Sequence, residues 1–420
     1  MKGKNFSRRT FLKCAGLTVS APLVVPSSVF GDEQKAAPSE RVTYAIIGAG
    51  GRGLFREFAP VKEAQCLAVV DCYKSRRENL AKTCKGDAYL DYREVISRKD
   101  IDSVVIGTPD HWHIPIAVAA AKAKKSAYVE KPLGLTIAQD ILCEKVFNEN
   151  GVTFQYGTQQ RSTRHCWSGS QLVRQGAIGK ISKIEVDAPN GSGGGSLAEA
   201  QIPADLGADG YEMWTGPSPV KPYNNGRCAP QGTYLVYDFS IGMLGGWGAH
   251  PLDIMVWASD ADLSGIITIE GTGVYNPEAL YSAVYNWNMT IKLGEIDLIF
   301  KPGNDRTKFF GEDGKWIEIR RRGTTASNPD LLKTPIKDDA TKLKESNNHY
   351  RDFILSVKNK VAPVATLRDA VRSDVISQLC DIAIRTKSVV KWDPKKLALV
   401  DPTPEQTKML DRPLRAPWTL

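Results

Sequence analysis

The stretch Gly48-Ala49-Gly50-Gly51-Arg52-Gly53 decides the fold of the first part of this 420-residue chain. An apolar, β-branched run, Val42 to Ile47, precedes it, and a plausible helix start follows. Asp71 stands eighteen positions beyond Gly53, at the end of a second apolar run. Strand, glycine turn, helix, strand and acid in this order are the G-x-G-x-x-G dinucleotide-binding fingerprint. The alternative is a glycine-rich turn in an unrelated α/β domain.

The glycines of the fingerprint each have a physical role, and together they predict that the chain binds a dinucleotide cofactor. The first glycine permits the tight turn, the second lets the backbone approach the pyrophosphate, and the third lets helix and strand pack closely. The expected cofactor-binding residues of this region are Gly48, Gly50, Gly51, Arg52, Gly53, Asp71 and Arg76. Asp71 favours NAD, because a carboxylate accepts from the ribose 2′-hydroxyl and repels a 2′-phosphate. The nearby Lys74, Arg76 and Arg77 keep NADP open.

The N-terminus has the pattern of a twin-arginine export signal over residues 1–31. Arg8-Arg9 is followed by a mildly apolar stretch, and no acidic residue occurs before Asp32. Such a signal predicts transfer of the folded protein to the periplasm by the twin-arginine machinery. The apolar stretch is far shorter than the ~20 residues of a membrane span, so no permanent membrane anchor is expected. A basic amphipathic tail is the alternative.

Charge and cysteine content exclude several classes of protein. The formal net charge is +8, but five of the lysines and arginines lie in the export signal, which leaves about +3. This balance, without a basic stripe interleaved with aromatic residues, argues against nucleic acid as a partner. The eight cysteines show neither C-x-x-C nor metal-ligand spacing. We therefore expect neither a metal site nor a full disulfide framework.

The pattern of apolar runs and helical stretches along the sequence predicts two domains. Residues 32–41 read as an arm, and residues 42–157 alternate short apolar runs with helical stretches, as in a Rossmann doubly wound parallel sheet. Residues 158–395 predict an α+β domain with a large, mainly antiparallel open sheet, which would hold the substrate and form a homo-oligomer. Helices from about residue 347 would pack back on the first domain, and residues 396–420 would form a tail.

Two motifs follow core strands and should meet at the cofactor. Thr108-Pro109-Asp110-His111-Trp112-His113 follows one strand, and Glu130-Lys131-Pro132 follows the next. With the glycine fingerprint, they make the chain resemble the glucose-fructose oxidoreductase, inositol dehydrogenase and rhizopine-catabolism (Gfo/Idh/MocA) family. Members share the fingerprint, a T-P-N-x-x-H segment, an E-K-P segment and an antiparallel second domain. The resemblance covers about Val42 to Pro394.

The resemblance implies roles for residues of both motifs. Lys131 corresponds to the lysine that bonds the reacting sugar hydroxyl, helps move its proton and lies beside the cofactor. Glu130 would help bind the nicotinamide side. Thr108, Asp110 and His113 would also bind the cofactor, although Asp110 stands where the family usually has asparagine. His111 has no counterpart in the family segment, and we interpret it as a structural histidine.

A segment of the second domain, Gly245 to Asp253, resembles the family pattern D-x-x-x-H-x-x-D. His250 and Asp253 match it and are candidate catalytic residues; His250 would also contact substrate. Gly246 occupies the place of the first acid, and Asp238 on a neighbouring loop is the candidate replacement.

Polar residues after the last strand of the first domain could hold sugar hydroxyls. Gln159 and Arg161 are the candidate substrate-binding residues there, with a plain domain-boundary loop as the alternative.

These features together predict an exported NAD(P)-dependent oxidoreductase that acts on a hydroxyl of a small sugar, polyol or glycoside and carries its cofactor tightly bound. One alternative is a glycoside-cleaving enzyme, in which transient oxidation permits elimination and is then reversed. The other is a sugar-binding relative without catalysis.

Overall fold

A computed structural model of the protein describes residue 37 and residues 40–230 and 232–420. The predicted export signal and most of the predicted arm lie outside the described residues. Val42–Leu420 form one compact unit that contains two β-sheets.

The first sheet has six parallel strands in the order β3-β2-β1-β4-β5-β6. Its strands are β1 (Val42–Ile47), β2 (Ala64–Val70), β3 (Asp87–Tyr89), β4 (Ser103–Ile106), β5 (Ser126–Val129) and β6 (Phe154–Tyr156). The intervening helices are α1 (Leu54–Phe58), α2 (Lys74–Cys84), α3 (Tyr92–Ile96), α4 (His113–Lys122) and α5 (Ile137–Asn150). Every residue of β4 and β5 is buried, because helices cover both faces of the sheet. The strand order reverses at β1, so a ligand is expected beyond the carboxyl ends of β1 and β4.

The second sheet has nine strands in the order β13-β12-β11-β7-β10-β9-β8-β14-β15. They are β7 (Lys183–Ala188), β8 (Ile267–Val274), β9 (Asn286–Leu293), β10 (Ile296–Pro302), β11 (Arg306–Phe310), β12 (Trp316–Arg320), β13 (Gly323–Ala326), β14 (Val390–Asp393) and β15 (Ala398–Leu399). All neighbouring pairs are antiparallel except β7 and β10. In β9 the alternate residues Trp287, Met289, Ile291 and Leu293 are buried, and this period of two leaves the other face open. The predicted fold class is confirmed.

The remaining helices lie on or between the sheets. They are α6 (Arg164–Arg174), α7 (Gly207–Thr215), α8 (Gly232–Leu235), α9 (Met243–Gly246), α10 (Ala249–Ser259), α11 (His349–Asn359), α12 (Leu367–Thr386) and α13 (Pro404–Lys408). The Thr366 side chain accepts a hydrogen bond from the Asp369 amide and caps α12. Helix α11 packs on the first sheet, with Tyr350 against Phe58 and Phe353 against Tyr128.

The last residues of the chain are built into the fold, whereas the sequence suggested only a tail. Strand β15 extends the second sheet, and the Trp418 ring lies edge-on to Trp112, with 4.8 Å between ring centroids. Arg415 donates to the carbonyl oxygen of Gly216 at 2.9 Å. These contacts fix the C-terminal segment against the loop that follows β4.

None of the helices in the described residues is long and apolar enough to cross a membrane. The seven cysteines in that part of the chain are unpaired. No cluster of three or more His, Cys, Asp or Glu side chains that could hold a metal occurs there.

Candidate active site

A cleft of about 380 Å³ opens at the carboxyl ends of β1, β2, β4 and β5. Ten of the predicted site residues line it: Gly48, Gly50, Gly51, Arg52, Asp71, Arg76, Thr108, Asp110, Glu130 and Lys131. This position is the switch point of the parallel sheet, where strand order places a ligand. The motifs that the sequence separates by up to about 80 residues therefore meet in one cleft.

The glycine turn fits close against the loop after β4. Gly48 has a φ of 95°, and a Cβ atom there would lie 2.6 Å from the carbonyl carbon of Gly107. A Cβ on Gly50 would meet only the Arg76 side chain, at 3.4 Å. Gly53 has a φ of 64° and begins α1, which has five residues. The turn thus needs glycine at Gly48 for its own geometry, while Gly50 leaves room inside the cleft.

Asp71 ends β2 and is tied to the glycine turn. Its two carboxylate oxygens accept from the backbone N–H groups of Ala49 and Tyr73, both at 2.8 Å. Burial raises the pKa of Asp71, and these bonds, with the charges of Arg76 and Arg77, oppose the rise. The Arg76 guanidinium lies 4.1 Å from the Tyr73 ring centroid. A carboxylate and a guanidinium therefore lie side by side at this end of the cleft.

Glu130 and Arg52 join the glycine turn to the end of β5. Arg52 Nε donates to Glu130 Oε1 at 3.0 Å, and Arg52 Nη2 donates to the Tyr350 hydroxyl at 3.1 Å. Glu130 is buried, and the structure places this acid on the cleft wall rather than in bulk solvent.

Lys131 follows β5 of the first sheet, and its side chain reaches the opposite wall of the cleft. Its ammonium donates to the Gly246 carbonyl oxygen at 2.6 Å. The glycine that stands in place of the family acid therefore still contacts Lys131, through its backbone. Asp110 is 8% exposed and lines the same cleft. Burial raises the pKa of Asp110 to about 7, although the Ser240 hydroxyl and the Lys131 charge hold it down.

The two histidines of the motif after β4 do not line the cleft. His113 Nδ1 lies 2.7 Å from the Pro132 carbonyl oxygen, and its Nε2 lies 3.0 Å from that of Thr108. Both ring nitrogens face backbone carbonyl oxygens, and the one that carries the N–H donates to one of them, so the ring lies between the two strand-end loops; direct contact of His113 with the cofactor stays a prediction. His111 is stacked on Phe239 at 4.6 Å between centroids, in the structural role that the sequence suggested.

Arg161 and Asp253 form an ion pair inside the protein. Arg161 Nη2 and Nε donate to Asp253 at 2.6 and 2.7 Å, and Arg161 Nη1 donates to Asp369 at 2.8 Å. Both side chains are 1% exposed, and neither lines the cleft. The pairing does not favour the expected roles of Arg161 in sugar binding and of Asp253 in catalysis, because each side chain already bonds the other; both roles stay predictions.

Asp238 is engaged elsewhere as well. Lys221 and Arg227 donate to its Oδ2 at 2.7 and 2.8 Å, and Asp238 is not on the cleft wall. Burial raises the pKa of this carboxyl, but the two cations outweigh burial and leave the pKa below its ordinary value. Pairing with two cations, off the cleft wall, does not favour Asp238 as the replacement for the acid missing at Gly246, and that role stays a prediction.

His250 and Gln159 lie behind the cleft wall. His250 is 3% exposed, and burial, followed by the charges of Lys131 and Arg321, lowers its pKa well below the ordinary value. Its ring is therefore neutral. Trp247, one turn earlier, lines the cleft, and its ring centroid lies 6.0 Å from that of His250. Gln159, two residues before Arg161 in the chain, is half-buried and does not line the cleft.

Most of the wall that faces the cofactor-binding loops was not predicted from the sequence. This wall is formed by Met213, Trp214, Cys228, Pro230, Thr233, Tyr234, Met243 and Trp247. Only Trp247 lay in a motif that the sequence singled out. The others come from loops and short helices without a recognisable spacing, so no local signal could have identified them.

The residues of the first wall fit a nicotinamide dinucleotide. The space in front of Gly50 would be filled by a larger side chain, and Asp71 and Arg76 lie where the first βα turn presents them to an adenosine ribose. The Thr108 hydroxyl is buried with no hydrogen-bond partner among the described residues, and it faces the same cleft. An open cradle and unpartnered polar atoms are what a dinucleotide site requires.

Two family models match the chain. Residues 42–158 match the oxidoreductase-family NAD-binding Rossmann fold, and residues 171–420 match the C-terminal alpha/beta domain of that family, both of the Gfo/Idh/MocA type. Their boundaries correspond to the two sheets.

Curated relatives carry names of glycoside-cleaving enzymes. An alpha-N-acetylgalactosaminidase of Shewanella oneidensis is 26% identical over 218 residues, and a glycosyl hydrolase family 109 protein of Shewanella sp. (strain ANA-3) is 29% identical over the same length. Each match covers 42% of this chain and 44% of the relative, so the chain matches less than half the length of these proteins.

Solved structures share the fold over most of their length. The aldose-aldose oxidoreductase of Caulobacter crescentus, complexed with glycerol, has a TM-score of 0.62 at 17% identity and covers 84% of this chain and 99% of its own. The WlbA dehydrogenase of Chromobacterium violaceum, complexed with NADH and UDP-GlcNAcA, has a TM-score of 0.62 at 14% identity, with coverages of 84% and 96%.

Proposed function

Because the chain belongs to the Gfo/Idh/MocA family of oxidoreductases, we propose that it is an exported, nicotinamide-dependent enzyme acting on a hydroxyl of a sugar, polyol or glycoside. The observation that carries the proposal is the position of Lys131. Its ammonium lies in the cleft that contains the glycine turn, and it reaches the opposite wall at Gly246. This position, between the cofactor-binding loops and the wall lined by Trp214, Tyr234 and Trp247, supports a proton-transferring role for Lys131.

The cofactor, when bound, would accept a hydride from the substrate carbon and could return it. Gly48, Gly50, Gly51, Arg52 and Glu130 would hold it in place. Lys131 in its neutral form would accept the proton of the reacting hydroxyl, as a general base must when a carbinol is oxidised. The aromatic wall would exclude water and bind the sugar ring.

NAD is the proposed cofactor, with NADP as the alternative. Asp71 keeps acceptor capacity for a ribose hydroxyl beyond its two backbone bonds, since a carboxylate has about four lone-pair positions. Arg76 lies beside it and would favour a 2′-phosphate. Comparing retention of NAD and NADP by the wild type and by Asp71→Ala tests the choice: a loss confined to NAD supports the proposal, and unchanged retention of both contradicts it.

A redox-neutral glycosidase is the second candidate, and the names of the curated relatives favour it. Oxidation of a ring hydroxyl acidifies the neighbouring C–H bond, which permits elimination of the glycosidic group before the hydride is returned. The test is a panel of sugars and chromogenic glycosides, including α-N-acetylgalactosaminides. Release of an aglycone without net change in cofactor absorbance selects this candidate. Net reduction of the cofactor selects the dehydrogenase, and no turnover of any sugar or glycoside contradicts both.

Export to the periplasm is proposed on the N-terminal sequence alone. Free nicotinamide cofactors are expected to be scarce there, so the enzyme would carry its cofactor tightly bound from the cytoplasm. Replacing Arg8 and Arg9 together by Lys keeps the charge and should leave uncleaved precursor inside the cell. Unchanged processing of that variant would contradict the twin-arginine route. Wild-type protein isolated from the periplasm should release about one NAD(H) per chain on denaturation.

A further inference from the structure

Trp112 joins the two walls of the cleft. It ends the 3-10 turn Asp110–Trp112 that follows β4, and its buried side chain lines the cleft. The indole Nε1 donates to the Met213 carbonyl oxygen at 2.9 Å, and Nε2 of the neighbouring His111 lies 2.9 Å from the carbonyl oxygen of Trp214. Met213 and Trp214 belong to α7 and line the opposite wall. The turn after β4 is therefore connected to α7 at two successive residues.

The surroundings of Trp112 leave its ring little freedom. Gly216, directly after α7, has a φ of 50°, and a Cβ atom at that position would overlap the Trp112 ring. Tyr92 of α3 packs edge-on against the same ring, with 5.4 Å between the centroids. Close packing of this kind holds a side chain in one position, because no space remains into which it could turn. The relative position of the two walls thus depends on how firmly Trp112 is held.

Two residues near the end of the chain pack against this joint from outside the cleft. The Trp418 ring is 8% exposed and lies edge-on to Trp112, with 4.8 Å between the centroids, and the Arg93 guanidinium lies 5.1 Å from the Trp418 ring centroid. Arg415 Nε donates to the carbonyl oxygen of Gly216 at 2.9 Å. Neither Trp418 nor Arg415 lines the cleft. One short segment therefore contacts the first wall through Trp418 and the second wall through Arg415.

We propose that Trp418 and Arg415 are positioning residues for the cofactor, which hold the turn after β4 against α7 through Trp112 and slow the release of a bound nicotinamide dinucleotide. This inference rests on the proposed function and deepens it, because it assigns tight cofactor binding to contacts outside the cofactor-binding motifs. Thr108 and Asp110 precede Trp112 in the same loop and line the cleft. Release of a ligand from a cleft requires its walls to separate, so contacts that hold the walls together slow release.

Trp418→Ala is the first test, and the rate of cofactor exchange is its readout. Protein saturated with NAD(H) is mixed with an excess of isotopically labelled NAD(H), and native mass spectrometry follows the replacement. We expect Trp418→Ala to exchange roughly 2–10-fold faster than the wild type, the range that corresponds to the loss of an edge-to-face aromatic pair. Trp418→Phe keeps an aromatic ring and should exchange at close to the wild-type rate. Equal rates in Trp418→Ala and the wild type would overturn the assignment.

A matched variant separates positioning from a general loss of stability. Trp392 of β14 is 2% exposed and does not line the cleft. Trp392→Ala should lower the midpoint of denaturant unfolding, because it removes a buried indole, and should leave the exchange rate unchanged. If Trp392→Ala accelerates exchange as much as Trp418→Ala does, the acceleration reflects stability, and the positioning role is wrong.

Arg415→Ala tests the other end of the segment and replaces the first test if Trp418→Ala does not fold. Arg415 Nη2 pairs with Glu212 at 2.7 Å in addition to the Nε bond to Gly216. Arg415→Ala should accelerate exchange, whereas Glu212→Gln, which leaves the bond to Gly216 in place, should not. Unchanged exchange in a folded Arg415→Ala, or equal acceleration in Glu212→Gln, would contradict the role of Arg415.

Combining two substitutions tests whether Trp418 acts through Trp112. Trp112→Ala alone should accelerate exchange, and Trp418→Ala in that background should add little, because the contact between the rings is already lost. Full additivity of the two effects would rule out the route through Trp112. If the wild type binds neither NAD(H) nor NADP(H), the proposed function itself fails. If the wild type binds the cofactor and both Trp418→Ala and Arg415→Ala exchange it at the wild-type rate, only the positioning role fails.

Discussion

Two regions of this protein contain basic side chains and carboxylates, and they differ in how completely their hydrogen bonds are made. In the Arg161 cluster, which comprises Arg161, Asp253 and Asp369, a bidentate pair is closed at 2.6 and 2.7 Å and a third bond follows at 2.8 Å. In the cleft, Lys131 bonds a backbone carbonyl and Asp110 keeps an unpartnered oxygen. The complete cluster joins parts of the fold, whereas Asp110 in the cleft keeps an oxygen that could accept a hydrogen bond.

The chemistry of the side chains explains the difference. A guanidinium keeps its proton at any accessible pH and binds a carboxylate through two parallel N–H groups, so the Arg161 cluster is suited to holding the loop after β6 against α10 and α12. In the cleft, burial raises the pKa of the Asp110 carboxyl to about 7, so this group can change protonation state near neutrality. The sequence motif placed Asp253 among the catalytic residues, whereas its contacts place it in the structural cluster.

The largest effect is expected from closing the cofactor side of the cleft. Gly50→Val fills the space in front of the glycine turn, where the only atom within reach is the mobile end of Arg76. The protein should fold but lose bound cofactor, and with it all turnover. The amount of cofactor released on denaturation measures cofactor retention, and circular dichroism checks that the variant is folded. Gly323→Val, at the start of β13 with open space around it, is the control that should retain cofactor. Full retention in Gly50→Val would place the cofactor elsewhere.

The next largest effect is expected at Lys131 in the cleft, the residue proposed to transfer the proton. Lys131→Ala should keep the cofactor and lower turnover by roughly 10²–10⁴-fold, the range for a lost acid–base group. Lys131→Arg should recover little, because a guanidinium does not give up its proton. Steady-state kinetics on the substrate found in the panel measure both. Lys180→Ala removes a lysine from an exposed ion pair and should change nothing.

A third variant tests the structural role of the Arg161 cluster. Asp253→Ala leaves Arg161 buried beside an empty space, and breaking a buried pair in this way costs about 3–5 kcal/mol. Denaturant unfolding should show this loss as a lower midpoint. Glu295→Ala breaks a surface pair and should leave the midpoint unchanged. If Asp253→Ala is as stable as the wild type but inactive, Asp253 belongs with the catalytic residues after all.

The smallest effect on turnover is expected at Asp238. Asp238→Asn removes a charge that pairs with Lys221 and Arg227, away from the cleft wall. Stability should fall somewhat, and turnover of the folded variant should remain within a few-fold of the wild type. A large loss of turnover in a normally folded Asp238→Asn would restore Asp238 as the replacement for the missing acid.

The sequence predicted the first sheet well, because its signals are local. The glycine turn, the short buried strands and the capped helix α12 depend on neighbours close in the chain, and their positions in the structure agree with the pattern. In the second sheet β11, β13, β14 and β15 were not anticipated, since short strands are identified by the partners they meet across the sheet. Strand β15, for example, has two residues and is defined by its pairing with β14.

The sequence by itself determined the fold class, the cofactor-binding edge of the first sheet and Lys131 as the residue beside it. Those properties follow from backbone constraints at glycine, from apolar periodicity and from the rule that parallel strands end at a common edge. Only the tertiary structure decided which acidic and basic side chains remain free to react. Arg161 with Asp253, and Asp238 with Arg227, satisfy each other across the fold, while Asp110 and Lys131 do not. Whether a charged group is paired depends on residues far apart in the chain, so no local pattern records it.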